Sequence, residues 1–261
     1  RNISLYSALN DYGPVLLLGS GVVDADIELF DPETSTGIVR VKKDHNLTSS
    51  IGANSSRIDK LEVDAGRSLN VGNSIYVNSI TNNAGSNFAV LSNDDGFLHT
   101  VDASNFHNHG AIDLSAASGG LGANIFNHSG STFDIGQRVA IVSGSLNFDS
   151  DSKLSVGVAS ASKLGFILAN TLQVKDGVSL NVDILNAHDF YRLANSEYIL
   201  LESVDKDNSQ VQAISSDNIS INSLQSNTIG SISLSTMSRN GNLMLNIPND
   251  FKLGCGSNSI L

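Results

Sequence analysis

Three histidines in two similar segments are the residues of this chain whose types and spacing could do chemistry. His107 and His109 lie in the segment FHNHG, and His128 lies in FNHSG, about one repeat further along the chain. Imidazole pairs at strand spacing bind zinc, but a structural zinc site needs four converging ligands. The chain has one cysteine, Cys255, near its end. We therefore expect no metal and no cofactor, and we interpret these histidines as turn residues of a repeated structural unit.

Two serine–lysine pairs match the S-x-x-K pattern of penicillin-binding enzymes, at Ser150–Lys153 and Ser160–Lys163. That chemistry also uses a K-T-G element, which the chain lacks, on a mixed helical scaffold. The segment GGLGANI, Gly119–Ile125, resembles one copy of a calcium-binding nonapeptide repeat, but Asn124 stands in place of the aspartate and no second copy follows. We interpret this segment as a flexible corner, and we expect no catalytic, cofactor-binding or metal-binding residues.

Charge and composition exclude several classes of partner. The chain has 261 residues and a formal net charge of −11, from 15 Lys and Arg against 26 Asp and Glu. Its basic residues are scattered along the sequence and form no cluster for phosphate binding, so we expect no nucleic-acid partner. Apolar runs such as Val15–Leu18 are far too short to cross a bilayer, so we expect no direct membrane insertion by this segment. A single cysteine excludes a disulfide scaffold.

The elements that must position these residues are short strands in a repeat. Apolar–x–apolar triplets recur at intervals of about 21 residues, a period typical of solenoids. The triplets are Leu69–Val71, Phe88–Val90, Ile112–Leu114, Phe133–Ile135 and Leu154–Val156. A second row contains Phe106, Phe126, Phe148 and Phe166, and a third, weaker row contains Val77, Leu98 and Val139–Ile141. Three strand signals per period, each bounded by Gly, Asn, Ser or Asp, indicate a coil built from strands.

A coil of this kind cannot bury its own inward face, so the coils must stack and pair their backbones. The residue in the middle of each triplet should then point outward, which applies to Asp113, Asp134 and Ser155. The phenylalanine row should stack inward, and asparagines at the turns should form side-chain ladders. A leucine-rich repeat, the nearest alternative at this period, needs a leucine consensus that is absent. We therefore predict an all-β fold, a right-handed parallel β-helix.

The repeat divides the chain into four regions. We predict irregular N-terminal coils in residues 1–50, regular coils in 51–169, a cap in 170–248 and a tail or linker in 249–261. The register breaks near residue 170, where the sequence predicts a short helical turn followed by an apolar strand. Alternation with a period of two returns after residue 218, and Asn240–Gly241 predicts a β-hairpin that completes the cap.

These features together resemble the membrane-proximal end of a bacterial autotransporter passenger, the secreted part of a type V secretion protein. The resemblance is carried by the coil-length repeats of residues 60–160, by the apolar strand EYILLES at Glu197–Ser203 and by the terminal hairpin SRNGNLMLNI at Ser238–Ile247. The segment Ile51–Ile80 is similar, more weakly, to the passengers of rickettsial surface antigens. The resemblance covers residues 50–248, and its motifs are diffuse patterns rather than signatures.

The resemblance implies export through an outer-membrane β-barrel translocator in the full-length protein, and a location on the bacterial cell surface or outside the cell. Passengers of this family serve adhesion, toxin delivery or proteolysis, and the protease branch carries a G-D-S-G motif that this chain lacks. We therefore expect an adhesin or structural scaffold rather than an enzyme. It would contact a host-cell surface protein or glycan, and its cap would promote folding during secretion. The alternatives are a carbohydrate-active β-helix, such as a lyase or a tailspike, and a cytotoxic passenger.

Overall fold

The chain forms short β-strands, because alternating apolar and polar residues give a strand one face to bury and one face for solvent. The structure, a computed structural model, describes residues 2–5, 15–19, 21–23, 25–29, 37–160, 163–185, 193, 195–223 and 233–248. The strands of the N-terminal half are β1 (Asn2–Leu5), β2 (Val15–Leu18), β3 (Gly21–Val23), β4 (Asp26–Leu29), β5 (Ile38–Val41), β6 (His45–Leu47), β7 (Ile58–Val63), β8 (Ser68–Val71), β9 (Ile75–Asn82), β10 (Asn87–Val90), β11 (Val101–Asn108) and β12 (Ala111–Asp113).

The strands of the C-terminal half are β13 (Gly119–Asn127), β14 (Thr132–Asp134), β15 (Val139–Phe148), β16 (Lys153–Ser160), β17 (Lys163–Leu164), β18 (Phe166–Val174), β19 (Ser179–Ile184), β20 (Ser196–Ser203), β21 (Gln210–Val211), β22 (Ile219–Ser223), β23 (Ser235–Arg239) and β24 (Asn242–Ile247). Within the described ranges, the one helical element is a 3₁₀ turn at Ser216–Asn218. The predicted all-β class is confirmed.

Parallel pairing stacks each coil on the next. One row of paired residues runs through Leu69, Phe88, Ile112, Phe133, Leu154 and Leu180. Neighbours in this row lie 19, 24, 21, 21 and 26 residues apart in the chain, so the coils differ in length. The fold is a parallel β-solenoid of about seven turns, with roughly 24 residues per turn rather than the 21 expected. Its right-handed sense stays a prediction.

Each coil has three sides. The strands β3, β6, β8, β10, β12, β14, β16, β19 and β22 form one side, in that order. The strands β9, β11, β13 and β15 are long enough to cover the other two sides. Two consecutive outward polar residues interrupt the alternation and mark the bend, for example Asn78 and Ser79 in β9 and Ser104 and Asn105 in β11. The chain therefore encloses its core from three directions.

The predicted inward residues fill this core. Asp113 and Asp134 lie between two buried neighbours and point outward, as predicted. Because paired strands lie about 4.8 Å apart, core residues stack on the residues at the same position in the neighbouring coils, as Phe133 does between Ile112 and Leu154. The predicted core residues, all at most 1% exposed, are Leu69, Val71, Ile112, Leu114, Phe133, Ile135, Leu154 and Val156.

The predicted phenylalanine row is wrong at two positions. The register pairs Phe106 with Ile125, and it pairs Phe126 with His107. Phe126 and Phe166 are therefore half-buried residues of the outer surface, not members of the inward row. Aligning the two segments by their phenylalanines shifts the register by one residue, and in a strand such a shift exchanges the inward and outward faces.

The outward direction predicted for Ser155 is confirmed, and one further local prediction needs correction. Ser155 points outward but is only 4% exposed, because Asn181 and Asp183 of the next coil lie over its hydroxyl group, each at 3.4 Å. Gly119–Ile125 is not a flexible corner but part of the strand β13, whose pairing with β15 is interrupted between Leu121 and Ile125. Polar side chains from neighbouring coils thus cover outward positions that a single coil would leave exposed.

A ladder of buried asparagines fixes the register along one side. Asn82, Asn108 and Asn127 occupy equivalent positions on β9, β11 and β13 and are at most 1% exposed. The Nδ2 of Asn82 donates to Asn108 Oδ1 at 2.9 Å, and the Nδ2 of Asn108 donates to Asn127 Oδ1 at 2.9 Å. The three amides also donate, at 2.8, 3.0 and 3.2 Å, to the carbonyl oxygens of Ala111, Thr132 and Asn147. The predicted side-chain ladder is confirmed.

Replacing Asn108 by alanine should lower the free energy of unfolding by about 1–3 kcal/mol, because it leaves buried partners on both sides without a hydrogen bond. Urea unfolding followed by circular dichroism measures the change. The control is Asn70→Ala, which removes an outward amide bonded to Asn46 Oδ1 at 2.7 Å and should cost at most about 0.5 kcal/mol. Equal losses for the two variants would contradict a structural role for the buried ladder.

Antiparallel strands end the solenoid at its C-terminal side. Parallel pairing continues beyond residue 170, from β18 to β20 and from β19 to β22. The strand β24 then pairs antiparallel with both β20 and β23. At the turn between β23 and β24, Asn240 and Gly241 have φ angles of 52° and 72°, as a type I′ hairpin requires. The hairpin predicted at Asn240–Gly241 and the strand predicted at Glu197–Ser203 are confirmed.

Some sequence predictions lie outside the described residues. These are the short helical turn expected before β20, the tail at 249–261 and Cys255. In the part of the chain that the structure describes, no helix has the length and apolar character needed to span a membrane.

Candidate functional site: a polar track along one corner

Two neighbouring rows of outward side chains run along one corner of the solenoid, and we call them the corner track. Strand register aligns the first row, and backbone hydrogen bonds between successive coils align the second. At about 4.8 Å per coil, the track is about 34 Å long. The first row is Arg40, Glu62, Thr81, His107, Phe126, Asn147, Gln173 and Gln210. The second row is Lys42, Asp64, Asn83, His109, His128, Asp149, Lys175 and Gln212.

The two rows arise from the alternation of the strands. In each coil, the two track residues flank one buried residue, such as Asn108 between His107 and His109. The flanking residues must point away from the core because successive side chains of a strand alternate between its faces. The parallel pairing of the strands therefore sets the spacing of the outward side chains from one coil to the next.

Stacked rings occupy the middle of the track. His107 stacks on Phe126, with ring centroids 5.0 Å apart and planes 12° from parallel. His128 lies parallel to His107 at 5.5 Å and to His109 at 4.2 Å. Because the rings stack on one another, their faces are largely covered, and their edges are the parts available to solvent. The middle of the track therefore presents ring edges rather than flat aromatic surfaces.

A chain of polar contacts extends from these rings toward the C-terminal end. The Nδ1 of His107 lies 3.2 Å from Nε2 of His128, and the Nδ1 of His128 lies 3.2 Å from Oδ2 of Asp149. Lys175 Nζ donates to the other carboxylate oxygen, Asp149 Oδ1, at 2.6 Å. The Lys175 ammonium group, and secondarily His128, hold the pKa of Asp149 below its usual value. The carboxylate thus fixes the orientation of His128.

The three histidines do not form a metal site. Their rings lie parallel, so their nitrogens do not converge on a common centre. Among the residues that the structure describes, no group of three or more His, Cys, Asp or Glu side chains is arranged to hold a metal ion.

The pKa values of two histidines are lowered. Burial lowers the pKa of His107, and the neighbouring His128 and Lys60 lower it further. Burial also lowers the pKa of His109, followed by the effects of His128 and His107. Both rings are therefore neutral at pH 7, and protonation places positive charges in a stack that already lies near Lys60 and Lys175.

Lowering the pH from 7 to 5 should reduce the free energy of unfolding through this stack. The unfolded chain takes up protons near the ordinary histidine pKa of about 6.5, whereas His107 and His109 take them up only at lower pH. Stability is therefore lost as the pH falls below the unfolded value. Urea unfolding at a series of pH values measures the slope. The variant His107→Gln/His109→Gln should have a flatter slope, and an unchanged slope would contradict this assignment.

The two ends of the track are concave. At the N-terminal end, a cleft of about 540 Å³ is lined by Arg40, Lys42, Arg67 and neighbouring polar residues. At the other end, a smaller depression of about 280 Å³ is lined by glutamines and by Lys175 and Asp176. Both depressions lie beside residues of the same two rows, so the track joins a cationic end to an amide-rich end.

The serine–lysine pair at Ser150–Lys153 shows no catalytic arrangement. The hydroxyl of Ser150 donates to the carbonyl oxygen of Asp176 at 2.7 Å, and the side chain of Lys153 is exposed on β16. An S-D-N triplet is present at Ser216–Asn218, in the 3₁₀ turn before β22. In the sheet, β19 lies between β16, which contains Lys153, and β22, which follows the triplet. The triplet is therefore not adjacent to the pair at Ser150–Lys153.

Sequence reasoning found the histidines but missed the track. It interpreted them as turn residues of a repeat, and the structure places all three on one corner in successive coils. It missed Arg40, Lys42 and Arg67 as a group, because Arg67 belongs to the coil after that of Arg40 and Lys42 and lies 25 residues beyond Lys42 in the sequence. Aligning the buried residues that lie between the two rows, such as Val41 and Val63, would have shown that these cations are neighbours.

The fold and the track together define a parallel β-solenoid with a continuous polar corner. No protein-family model matches the chain, and no curated protein or solved structure is significantly similar to it.

Proposed function

We propose that this chain is part of an autotransporter passenger that acts as a surface-displayed or secreted binding scaffold, an adhesin rather than an enzyme. The observation that carries the proposal is the corner track, because it places outward polar side chains in register over about 34 Å of a rigid parallel solenoid. A surface of this kind suits a long ligand better than a small substrate. The partner is a host-cell surface protein or glycan.

The contacts of the histidines support binding rather than catalysis. A nucleophilic mechanism needs a hydroxyl or thiol group within hydrogen-bond reach of the base. In the described residues, the hydrogen bonds of His107 and His128 go to each other and to Asp149, and none goes to Ser, Thr or Cys. The ring edges also lie on an open corner, where water is not excluded.

The C-terminal strands support a passenger that is exported unfolded. An open end of a parallel sheet has unpaired backbone groups that promote aggregation. Here β20 would be the last strand of its sheet, and the antiparallel strands β24 and β23 cover its edge. Since solenoid stability passes between neighbouring coils, a stable terminal unit can template the coil beside it. In the full-length protein, an outer-membrane β-barrel translocator would release this end first.

Surface exposure on intact cells of the source bacterium tests the proposal. Antibodies raised against the folded segment should label intact cells or the culture medium, and external protease should remove the cell-bound signal. An antibody against a periplasmic protein is the control and should label only permeabilised cells. Signal that appears only after permeabilisation, with none in the medium, would contradict display and secretion.

A turnover assay separates the scaffold from the carbohydrate-active alternative. We expect no cleavage of pectins, host glycans or peptide substrates by the purified chain, because its histidine–aspartate chain has no nucleophile partner among the described residues. Product release is measured by reducing-end and mass-spectrometric analysis. Turnover that disappears in Asp149→Asn would refute the scaffold and support a hydrolase or lyase.

A further inference from the structure

The charge of the chain is unevenly distributed. Six of the 15 Lys and Arg residues and four of the 26 Asp and Glu residues lie within residues 40–67. This segment therefore has a net charge of +2, and the remainder of the chain has a net charge of −13. A positive region on a strongly negative protein attracts anions locally, while the rest of the surface repels them.

The carboxylates of the N-terminal cleft already have cationic partners. Arg40 Nε donates to Asp64 Oδ1 at 2.6 Å, and Lys60 Nζ lies 3.5 Å from Glu62 Oε2. The Asp64 carboxylate also raises the pKa of Arg40, so this guanidinium group stays charged. These pairs leave the two other cations that line the cleft available for another anion.

Those two cations are Lys42 and Arg67. Both side chains are exposed and line the cleft. Within the described ranges, neither side chain has a hydrogen bond or an ion pair. A guanidinium group binds a carboxylate or a sulfate through two parallel hydrogen bonds, and an ammonium group adds a compact charge. The cleft, of about 540 Å³, has room for one such group together with the sugar ring that carries it.

We propose that this cleft binds a carboxylate or sulfate group of an extended acidic glycan, whose following sugars lie along the corner track. This inference rests on the proposed binding function and names the class of ligand. Beyond the cleft, the track presents the exposed amides of Gln173, Gln210 and Gln212 and the edges of the imidazole rings, which match sugar hydroxyl groups. Protein interfaces rely instead on buried aromatic and apolar anchors. Phe126 is the one apolar residue among those that define the track, and it is half-buried, while one coil before Arg40 the same row continues with the exposed Leu17.

Calorimetric titration of the purified chain tests the proposal. The probes are a heparin hexasaccharide, which carries sulfates and carboxylates, and a hyaluronan hexasaccharide, which carries carboxylates only. Neutral maltohexaose and hexaglutamate serve as comparisons. We expect at least one acidic hexasaccharide to bind, with affinity that falls as salt rises, and we expect neither comparison to bind as tightly. The two acidic probes distinguish a sulfate site from a carboxylate site.

The variant Lys42→Ala/Arg67→Ala should weaken this binding about tenfold, which corresponds to about 1.4 kcal/mol. Its thermal midpoint should match that of the parent, because both side chains are exposed. The matched control Lys153→Ala/Lys163→Ala removes the same charge from another side of the solenoid and should change the affinity less than twofold.

Three results would overturn the proposal: no binding of either acidic hexasaccharide, an equal loss of affinity in the control variant, or hexaglutamate binding as tightly as the glycans. The last result would favour an acidic protein partner instead. None of these results bears on surface display, which the labelling of intact cells decides separately.

Discussion

Replacing Phe133 by alanine should lower the free energy of unfolding by about 3–5 kcal/mol, as for other large core side chains. Phe133 is completely buried, and it pairs with Ile112 in one neighbouring coil and with Leu154 in the other. Its ring also meets that of Phe148 edge-on, with centroids 6.0 Å apart. The substitution therefore leaves a cavity that spans the contacts of three coils.

The outward Phe126 provides a matched control in the same coil. It loses the same atoms on mutation to alanine, but it is half-buried and contacts the ring of His107 rather than the core. We expect Phe126→Ala to cost about 1 kcal/mol or less, the usual range for an aromatic pair outside the core. Urea unfolding of both variants measures the difference. A larger loss for Phe126→Ala than for Phe133→Ala would show that the inward and outward faces are assigned the wrong way round.

Deleting β23 and β24 should make the chain aggregate or refold slowly. The deletion removes the antiparallel partner of β20 and leaves that strand with an unpaired edge. It also removes Leu243, Leu245 and Ile247, which are completely buried. An apolar strand with a free edge is a template for pairing with other chains. Refolding from urea, followed by light scattering and circular dichroism, measures both effects.

A matched variant and a hydrogen-exchange measurement test the same role of the hairpin. Gly241→Ala keeps both strands but places a side chain at a φ of 72°, so it should slow refolding less than the deletion does. Hydrogen exchange should show stronger protection in β20 and β24 than in β1 to β4, because the capped end forms the most stable unit. A deletion variant that refolds as fast and as completely as the parent, and stays soluble, would show that the hairpin has no role in folding.

The fold could be predicted where one physical rule dominates. The triplets of Leu69–Val71 and Phe133–Ile135 alternate apolar and polar residues, and burial of their first and third positions leaves few other arrangements. The Asn240–Gly241 turn has a local conformational cause that acts within two residues. The cap and coil ranges given for the sequence stay predictions, and the parallel pairing of β19 with β22 extends the coils beyond residue 170.

The register was harder to predict because a polar residue defines it. Asn108 and Asn127 are buried, and an apolar pattern cannot reveal a buried amide. Matching Phe106 to Phe126 looked better than matching Phe106 to Ile125, although the amide ladder favours the second alignment. This alignment is stabilised by a hydrogen bond between Asn108 and Asn127, which lie in neighbouring coils and are 19 residues apart in the sequence. Such bonds have no local signature in the sequence.

The corner track could not be predicted from the sequence because its residues come together only through the same strand register. Coil lengths between 19 and 26 residues displace equivalent positions by different amounts, so no fixed period brings Arg40, Glu62 and His107 into one row. Outward side chains are also free of the packing constraints that make a core recognisable. The histidines could be noticed because their letters repeat, whereas Lys42 and Arg67 share no motif. The strand pairing seen in the structure is needed to align these residues.

Saturable binding to host cells tests the central claim most directly. The folded chain is labelled with a fluorophore and titrated onto cultured animal cells, with an excess of unlabelled chain as competitor. A binding scaffold predicts saturable binding that the competitor removes and that requires the folded solenoid, so that Phe133→Ala loses binding at temperatures at which it unfolds. Binding that never saturates, or that the unfolded variant retains in full, would contradict the claim that this solenoid is an adhesin.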